Sequence, residues 1–200
     1  MRFILGVDEA GRGPLAGPVA VGVVAVREGF DVAKEFPGVA DSKKLSENKR
    51  EKIFEMLKTR VALGDARFAV EFENAEIIDK EGITTAVHRA LARGVNSLAK
   101  CGNQTSKCTR KSDFHILLDG LLHAPPEYFQ ETIINGDELI PIISLASIVA
   151  KVSRDHLMCV LAEKYPEYGF EKHKGYGTRA HYDAIMKYGQ CSIHRKSFLH

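Results

Sequence analysis

Short apolar runs bounded by polar residues predict five β-strands along the chain. Residues 3–7 and 19–26 form nearly continuous apolar runs, which are typical of strands buried inside a sheet. Residues 67–73 alternate apolar and charged side chains, as expected for a half-buried strand. Two further strands are predicted at residues 114–118 and 132–134, and each is followed by a turn that contains glycine.

Four helices are predicted where apolar positions recur every three or four residues. The first follows Ser46, which can cap it, and the last spans residues 178–188 and ends before Gly189. The other two cover residues 83–98 and about 144–164. The expected buried faces are Ile53, Phe54 and Leu57 in the first helix, and Leu145, Ile148, Val149, Val152 and Val160 in the long helix.

The order of these elements predicts an α/β fold with a mixed central β-sheet flanked by helices. With 200 residues, of which 44% are hydrophobic, residues 1–200 are expected to form a single domain with a real core. Residues from roughly 165 to 200 would form a helical extension of that domain. No apolar stretch is long enough to read as a signal peptide or a membrane span, so a cytoplasmic protein without membrane contact is expected.

Carboxylates recur at the ends of the predicted strands. Asp8 and Glu9 follow the first strand, Asp119 follows the fourth, and Asp137 follows the short fifth strand. Asp119 and Asp137 taken singly are typical turn residues, and only their recurrence beside Asp8 and Glu9 favours a functional interpretation. Consecutive strand residues face opposite ways, so the first strand must end or twist, or Glu9 must reach around it.

If these strand ends are neighbours, the four carboxylates share one patch. Such a patch is unfavourable unless hard cations neutralise it, and Mg²⁺ or Mn²⁺ with oxygen ligands suits it best. Two ions would support an in-line phosphoryl displacement.

The segment after the first strand can bind an anion. Gly11 and Gly13 bracket Arg12, and a backbone this bare can present its N–H groups to another molecule. The formal charge of +2 says little, because 28 basic side chains nearly balance 26 acidic ones. The basic residues nevertheless cluster, which is compatible with a polyanionic substrate. The clusters are Lys43 and Lys44, Lys49 and Arg50, residues 107–111, residues 172–174, and Arg195 and Lys196.

The cysteines do not show the spacing of a zinc site. No C-x-x-C pair occurs, and Cys101, Cys108, Cys159 and Cys191 are interpreted as reduced thiols. His173 lies between two lysines, where a structural or surface role is expected rather than a proton shuttle. The polar residues 102–112 are expected to form a loop.

Several of these segments, taken together and in order, resemble the ribonuclease HII family, the type 2 ribonucleases H. The matching motifs are D-E-A-G-R-G (residues 8–13), D-S-K-K-L (41–45), D-G (119–120), G-D (136–137), S-L-A-S-I-V-A-K-V-S-R-D (144–155), Y-G-F-E-K-H-K-G-Y-G-T (168–178) and H-R-K-S-F (194–198). They extend from one end of the chain to the other, and their combined specificity is high.

The resemblance implies an RNase H-like fold and a divalent-metal-dependent endonuclease. Its substrates would be RNA–DNA hybrids, in which it hydrolyses the RNA strand, and DNA with single embedded ribonucleotides. The products would carry 3′-hydroxyl and 5′-phosphate ends, and the protein is expected to act as a monomer. The implied metal ligands and catalytic residues are Asp8, Glu9, Asp119 and Asp137. Gly11, Arg12 and Gly13 would read the ribose 2′-OH, Tyr176 would pack on the next sugar, and Lys43 would contact phosphate.

The predicted long helix also carries a stripe of polar residues. Ser144, Ser147, Lys151 and Asp155 recur on one side of an otherwise apolar helix. A phosphate-facing role is predicted for Ser147 and Lys151, whereas Asp155 is expected to pair with Lys151 one turn away.

Two alternative functions remain at this point. Another metal-dependent nuclease of the RNase H-like superfamily would need the acids but not Arg12 between glycines or Tyr176 in its K-G-Y-G-T segment. A non-catalytic module that binds hybrids would be expected to lack at least one of the four acids, and none is missing.

Overall fold

The computed structural model describes residues 2–100 and 110–199, without the side chains of residues 41–43. The strands are β1 (Phe3–Ala10), β2 (Val19–Arg27), β3 (Ala66–Glu73), β4 (Phe114–Asp119) and β5 (Phe129–Ile133). The α-helices are α1 (Val32–Glu35), α2 (Glu47–Ala62), α3 (Ala75–Glu81), α4 (Ile83–Lys100), α5 (Gly136–Leu139), α6 (Pro141–Lys164), α7 (Phe170–His173) and α8 (Arg179–Tyr188). Short 3-10 helices cover Val39–Lys44, Lys111–Asp113, Pro166–Tyr168 and Lys196–Phe198.

The strands form one mixed sheet in the order β3-β2-β1-β4-β5. The pairs β1–β2 and β2–β3 are antiparallel, whereas β1–β4 and β4–β5 are parallel. Val7 of β1 pairs with Leu118 of β4, so the acids that follow these two residues lie at the same edge of the sheet. The predicted α/β fold with a mixed sheet flanked by helices is confirmed.

Helices cover both faces of the sheet. One apolar cluster packs α4 against β1, β2 and β4, and a second packs α2 and α6 against the other face. Helix α6 approaches unusually closely, because a Cβ at Gly6 would lie 2.2 Å from the Ile142 carbonyl oxygen and one at Gly22 would lie 2.4 Å from that of Ala146. These glycines let the backbone of α6 pack directly on β1, which carries Asp8 and Glu9, and on its neighbour β2.

Two predicted element boundaries were too late along the chain. Strand β5 begins at Phe129, three residues before the predicted start, because the polar residues Gln130 and Glu131 interrupt its apolar pattern. Helix α6 begins at Pro141, where a proline without an N–H group is well suited to the first helical turn.

Val160 was predicted to be buried and is 59% exposed. Helix α6 extends past the sheet, and its last turns instead pack Met158 and Ala162 against the C-terminal part of the chain. The buried face of α6 therefore changes direction where its neighbour changes from the sheet to residues 165–198.

The C-terminal part packs on α6 and on the connection between β1 and β2. A third apolar cluster contains Ala16 of that connection together with Met158, Tyr168 and Phe170. An isolated β-bridge also joins Ala16 to His194. Among the described residues, no helix combines the length and the apolar character that a membrane crossing requires.

Candidate active site

Three carboxylates approach one another at the edge of the sheet where β1 and β4 end. Strand β1 continues through Asp8 and Glu9 to Ala10, so the strand does not end before them. The negative charge of Asp119 contributes to a raised pKa at both Asp8 and Glu9. The alternation of side chains along β1 therefore does not keep Glu9 away from the other two acids.

Asp8 is the most constrained of these acids. It is 6% exposed, and one of its oxygens, Oδ1, accepts the main-chain N–H of Glu9 at 2.7 Å. Burial raises its pKa well above the usual range, and the charges of Glu9 and Asp119 raise it further. Hydrogen bonding from the Ser147 hydroxyl offsets part of this rise in pKa.

Glu9 has one satisfied and one unsatisfied oxygen. Its Oε1 forms an ion pair with Nη1 of Arg12 at 3.2 Å. Its Oε2 is buried, and no hydrogen-bond partner meets it among the described residues. Burial raises the pKa of Glu9, and the positive charge of Arg12 only partly counteracts the rise. A buried carboxylate oxygen without a donor is the kind of atom that a cation would satisfy.

Asp137 is positioned by the turn after β5. Asn135 has a left-handed backbone conformation with φ of 56°, which asparagine tolerates better than most residues. The turn directs the main-chain N–H of Asp137 to Oδ1 of Asp119 at 3.2 Å, while Ser144 donates its hydroxyl to the Asp137 carbonyl at 2.6 Å. Ser144, which belongs to the predicted polar stripe, is therefore buried and bonds to the turn that carries Asp137.

Carboxylates offer only oxygen donors, so a site that combined the four acids would fit Mg²⁺ or Mn²⁺. Across residues 2–100 and 110–199, however, no group of three acidic, histidine or cysteine side chains is already arranged to hold an ion. The raised pKa values of Asp8 and Glu9 and the unsatisfied Oε2 atom are therefore the observations that support a cation here.

A cleft of about 280 Å³ lies beside the acids. It is lined in part by Glu9, Gly11, Ser147, Lys151 and Tyr176, all of which the sequence had singled out. These residues come from β1, the following loop, α6 and the segment before α8.

A backbone contact brings Tyr176 to this cleft. Gly175 has φ of 85°, and a Cβ there would lie 2.3 Å from the Ala16 carbonyl oxygen. The Gly175 carbonyl in turn accepts the N–H of Leu15 at 2.9 Å. Only glycine permits this approach, which joins the C-terminal part to the glycine-containing loop.

Tyr176 lies beside two cationic side chains. The residue is 42% exposed, and Nζ of Lys151 and Cζ of Arg154 lie 5.7 Å and 5.8 Å from its ring centroid. The Tyr176 residue is thus at the surface and not wedged under the last helix. Lys151 also pairs with Asp155 at 2.8 Å, as expected from their spacing.

Not all predicted contacts can be placed. Arg12 and Gly13 are exposed at the rim of the site. The side chain of Lys43 lies outside the described residues, as do Cys101, Cys108, most of the 102–112 loop and His200. Cys159 and Cys191 are free thiols, as predicted for them.

Three arginines near the site received no individual role from the sequence, which placed them only in basic clusters or matching motifs. Arg50 lines the cleft and donates to the Leu45 carbonyl, just after the D-S-K-K-L segment. Arg154 and Arg195 are fully buried, so neither guanidinium lies on the surface that a polyanionic substrate would contact. A signal existed for Arg154, because it continues the buried stripe of Ala146 and Ala150 on α6.

A buried chain of histidines was also missed. Nδ1 of His194 accepts the N–H of Cys191 at 2.9 Å, so His194 must carry its proton on Nε2, which lies 3.1 Å from Nε2 of His181. His181 is then protonated on Nδ1 and donates to the Tyr176 carbonyl at 3.0 Å. His173 bonds to the Tyr168 carbonyl and accepts the N–H of Gly175, which is the structural role predicted for it.

Comparison with known proteins identifies the family. The sequence model described as Ribonuclease HII matches residues 5–200. Ribonuclease HII of Syntrophus aciditrophicus (strain SB) is 45% identical over 98% of this chain and 84% of its own length. The crystal structure of ribonuclease H2 from Pyrococcus horikoshii OT3 aligns with a TM-score of 0.71 at 26% identity, covering 98% of this chain and 93% of that chain.

A structure of Bst-RNase HIII in complex with Mn²⁺ aligns with a TM-score of 0.71 over 99% of this chain and 67% of that chain. Its identity is 17%, so this likeness shows the fold alone. The match of the family model over nearly the whole chain, together with the Syntrophus relative, decides the assignment. This chain therefore belongs to the ribonuclease HII family and is a type 2 ribonuclease H, a hydrolytic nuclease acting on RNA–DNA hybrids.

Proposed function

We propose that the chain cuts single ribonucleotides embedded in duplex DNA as well as longer RNA–DNA hybrids, leaving 3′-hydroxyl and 5′-phosphate ends. The observation that carries this proposal is the cleft in which Glu9, Gly11 and Tyr176 meet. An acidic site, a loop able to contact a 2′-OH and an exposed aromatic ring then lie within reach of successive nucleotides.

Asp8, Glu9, Asp119 and Asp137 are proposed to hold two divalent ions, Mg²⁺ or Mn²⁺. Support comes from the buried Oε2 of Glu9, which is unpartnered within the described part of the chain, and from the raised pKa values of Asp8 and Glu9. A bound cation would contact that oxygen and would lower the free energy of ionising both carboxyl groups. Because like charges repel, the carboxylates are expected to converge only when ions compensate them. When bound, the ions would supply an activated water and stabilise the leaving oxygen of an in-line displacement.

The remaining residues of the site would bind and orient the nucleic acid. Ser147 and Lys151 face the cleft from α6 and are proposed to contact the phosphate next to the cut. The Gly11–Gly13 segment would recognise the 2′-OH, which alone distinguishes a ribonucleotide from its DNA neighbours. The ring of Tyr176 would pack on the sugar that follows, where a deoxyribose without the hydroxyl fits more closely.

Further parts of the proposal rest on the sequence. Lys43 is proposed as another phosphate contact, from a 3-10 helix that immediately precedes α2. Residues 1–200 are proposed to act as one catalytic domain, with the helical part from roughly residue 165 contributing Tyr176. We also propose that the protein acts as a monomer in the cytoplasm.

A cleavage assay with three matched duplexes tests the function. One duplex contains a single ribonucleotide, one a continuous RNA strand, and one only DNA, each assayed with EDTA, Mg²⁺ or Mn²⁺. Cutting of the first two with either ion, and of neither with EDTA, is expected. End-labelling should detect 3′-hydroxyl and 5′-phosphate products.

Each alternative predicts a different pattern in the same assay. Cutting of the DNA duplex would favour another metal-dependent nuclease of the superfamily. Binding to hybrids without any cutting would favour a non-catalytic module. Cutting of the continuous RNA strand alone would leave the hybrid activity intact and remove embedded ribonucleotides from the proposal.

A further inference from the structure

Two fully buried arginines lie behind the loop that connects β1 and β2. Neither Arg154 nor Arg195 pairs with a carboxylate among the described residues, and both donate only to main-chain carbonyls. Arg195 donates to Gly17 O at 2.9 Å through Nε, to Arg12 O at 2.9 Å through Nη1 and to Gly11 O at 2.7 Å through Nη2. Arg154 donates to Pro18 O at 2.9 Å, Lys174 O at 3.0 Å and Ala16 O at 3.2 Å.

The contacts of Arg195 fix the direction of two successive peptide groups. In a trans peptide the carbonyl and the N–H point in opposite directions. Because the carbonyls of Gly11 and Arg12 point at Arg195, the N–H groups of Arg12 and Gly13 point away from it, toward the exposed side of the loop. The two exposed residues of the G-R-G segment thus present donors outward.

The same arrangement places positive charge behind the loop. Burial lowers the pKa of Arg195 to about 9, and the charge of Arg154 adds to this effect, yet the guanidinium remains protonated at neutral pH. A protonated guanidinium without a carboxylate partner polarises the peptides it contacts, so their outward N–H groups become better donors.

We propose that Arg195 is a positioning residue for ribonucleotide recognition, acting from behind the loop to direct the N–H groups of Arg12 and Gly13 at the substrate. It lies 184 residues along the chain from Gly11 and does not touch the nucleic acid itself. This inference rests on the proposed function, in which the G-R-G segment reads the 2′-OH.

Binding without cleavage tests the proposal. Affinities for a duplex with one ribonucleotide and for the same duplex in DNA are measured in EDTA for the wild type and for Arg195→Lys. The lysine keeps the charge but cannot direct both peptides at once. The preference for the ribonucleotide duplex should fall roughly tenfold, through weaker binding of that duplex alone.

Asp79→Ala provides the matched control. Asp79 accepts the N–H groups of Lys196 and Ser197, so its loss loosens the segment that carries Arg195 without removing a loop contact. This variant should melt earlier and keep its preference. An equal loss of affinity for both duplexes in Arg195→Lys, or an unchanged preference, would overturn the positioning role.

A second variant guards against misfolding of Arg195→Lys. Gly13→Pro removes one outward N–H and leaves Arg195 with its three carbonyl partners, and a side chain at this position meets no atom within 4 Å. It should lose part of the same preference, and the double variant should lose no more than Arg195→Lys alone. Retained preference in Gly13→Pro overturns the inference by itself. A wild type without preference would instead overturn the proposed reading of the 2′-OH by the G-R-G segment, while the cleavage assay tests the proposed function separately.

Discussion

The main-chain N–H of Asp137 donates a hydrogen bond to Oδ1 of Asp119 over 3.2 Å. This contact joins the turn after β5 to the end of β4, so the position of one predicted ligand depends on the other. It also gives Asp119 a partner that remains when the Asp137 side chain is changed.

Asp8→Asn should abolish cleavage and stabilise the metal-free protein. The pKa of Asp8 is raised by burial and by Glu9 and Asp119, so the ionised group destabilises the fold at neutral pH, and this cost disappears as the pH falls below the usual range of an aspartate. Asparagine removes the charge at every pH.

Thermal unfolding of wild type and Asp8→Asn in EDTA at pH 7, with a cleavage assay in Mg²⁺, measures both effects. Asp119→Asn should likewise abolish turnover and leave folding intact. Wild-type turnover in either variant at saturating Mg²⁺ would remove that residue from the metal site.

Asp137→Asn should reduce cleavage less than Asp8→Asn, with partial rescue by Mn²⁺. Its N–H still orients Asp119, and its carbonyl still accepts Ser144, so the variant should lose one carboxylate and little else. Cleavage rates over a range of Mg²⁺ and Mn²⁺ concentrations provide the measurement. A complete loss that Mn²⁺ does not rescue would mean that Asp137 is as essential as Asp8.

Tyr176→Ala should impair cutting at an RNA-to-DNA junction far more than inside continuous RNA. The ring is exposed beside Lys151, and stacking on a nucleotide is typically worth about 1–3 kcal/mol. The melting temperature should barely change. Tyr188→Ala is the control, because Tyr188 is 50% exposed on α8 and does not line the cleft. Equal loss on both substrates with a lower melting temperature would contradict junction reading.

Lys151→Met should weaken binding of a hybrid and lower its salt dependence. A phosphate contact contributes about one unit to the slope of log affinity against log salt concentration. Titrations across a salt series detect the change, with Lys187→Met on α8 as the control. An unchanged slope would indicate that Lys151 serves only its ion pair with Asp155.

Stability should fall as the pH is lowered from about 6.5 to about 4, because of His181. Burial lowers the pKa of His181 to about 4, while the unfolded chain titrates near 6.5. Within that window the unfolded state binds more protons, so acid favours unfolding. The rings of His173 and His194 face the ring of His181. A proton on Nε2 of His181 would place its N–H group against the N–H group on Nε2 of His194.

Urea unfolding of wild type and His181→Gln between pH 7 and 4 isolates this contribution, because Asp8 and Glu9 titrate in both proteins. The wild type should lose more stability across the window than the variant. Parallel pH profiles would show that His181 is not the titrating group.

The local sequence pattern determined the five strands, the four longer helices α2, α4, α6 and α8, the family and the candidate acids, but not the short helices α1, α3, α5 and α7. Apolar runs and helical spacing depend on neighbouring residues, so β4 and α4 could be predicted to within two residues of their observed bounds, and β1 could be predicted up to the acids that it also contains. Asp8, Glu9, Asp119 and Asp137 could be selected because each follows an apolar run, which requires no knowledge of distant contacts.

The tertiary structure alone decided which distant residues meet. Gly175 contacts Ala16 and thereby brings Tyr176 to the cleft, and the buried Arg195 reaches Gly11 across almost the whole chain. Unlike Arg154, which continues a buried stripe on α6, Arg195 has the same local sequence signature as an arginine on the surface. What distinguishes them is the free energy of packing between segments, which no local pattern encodes.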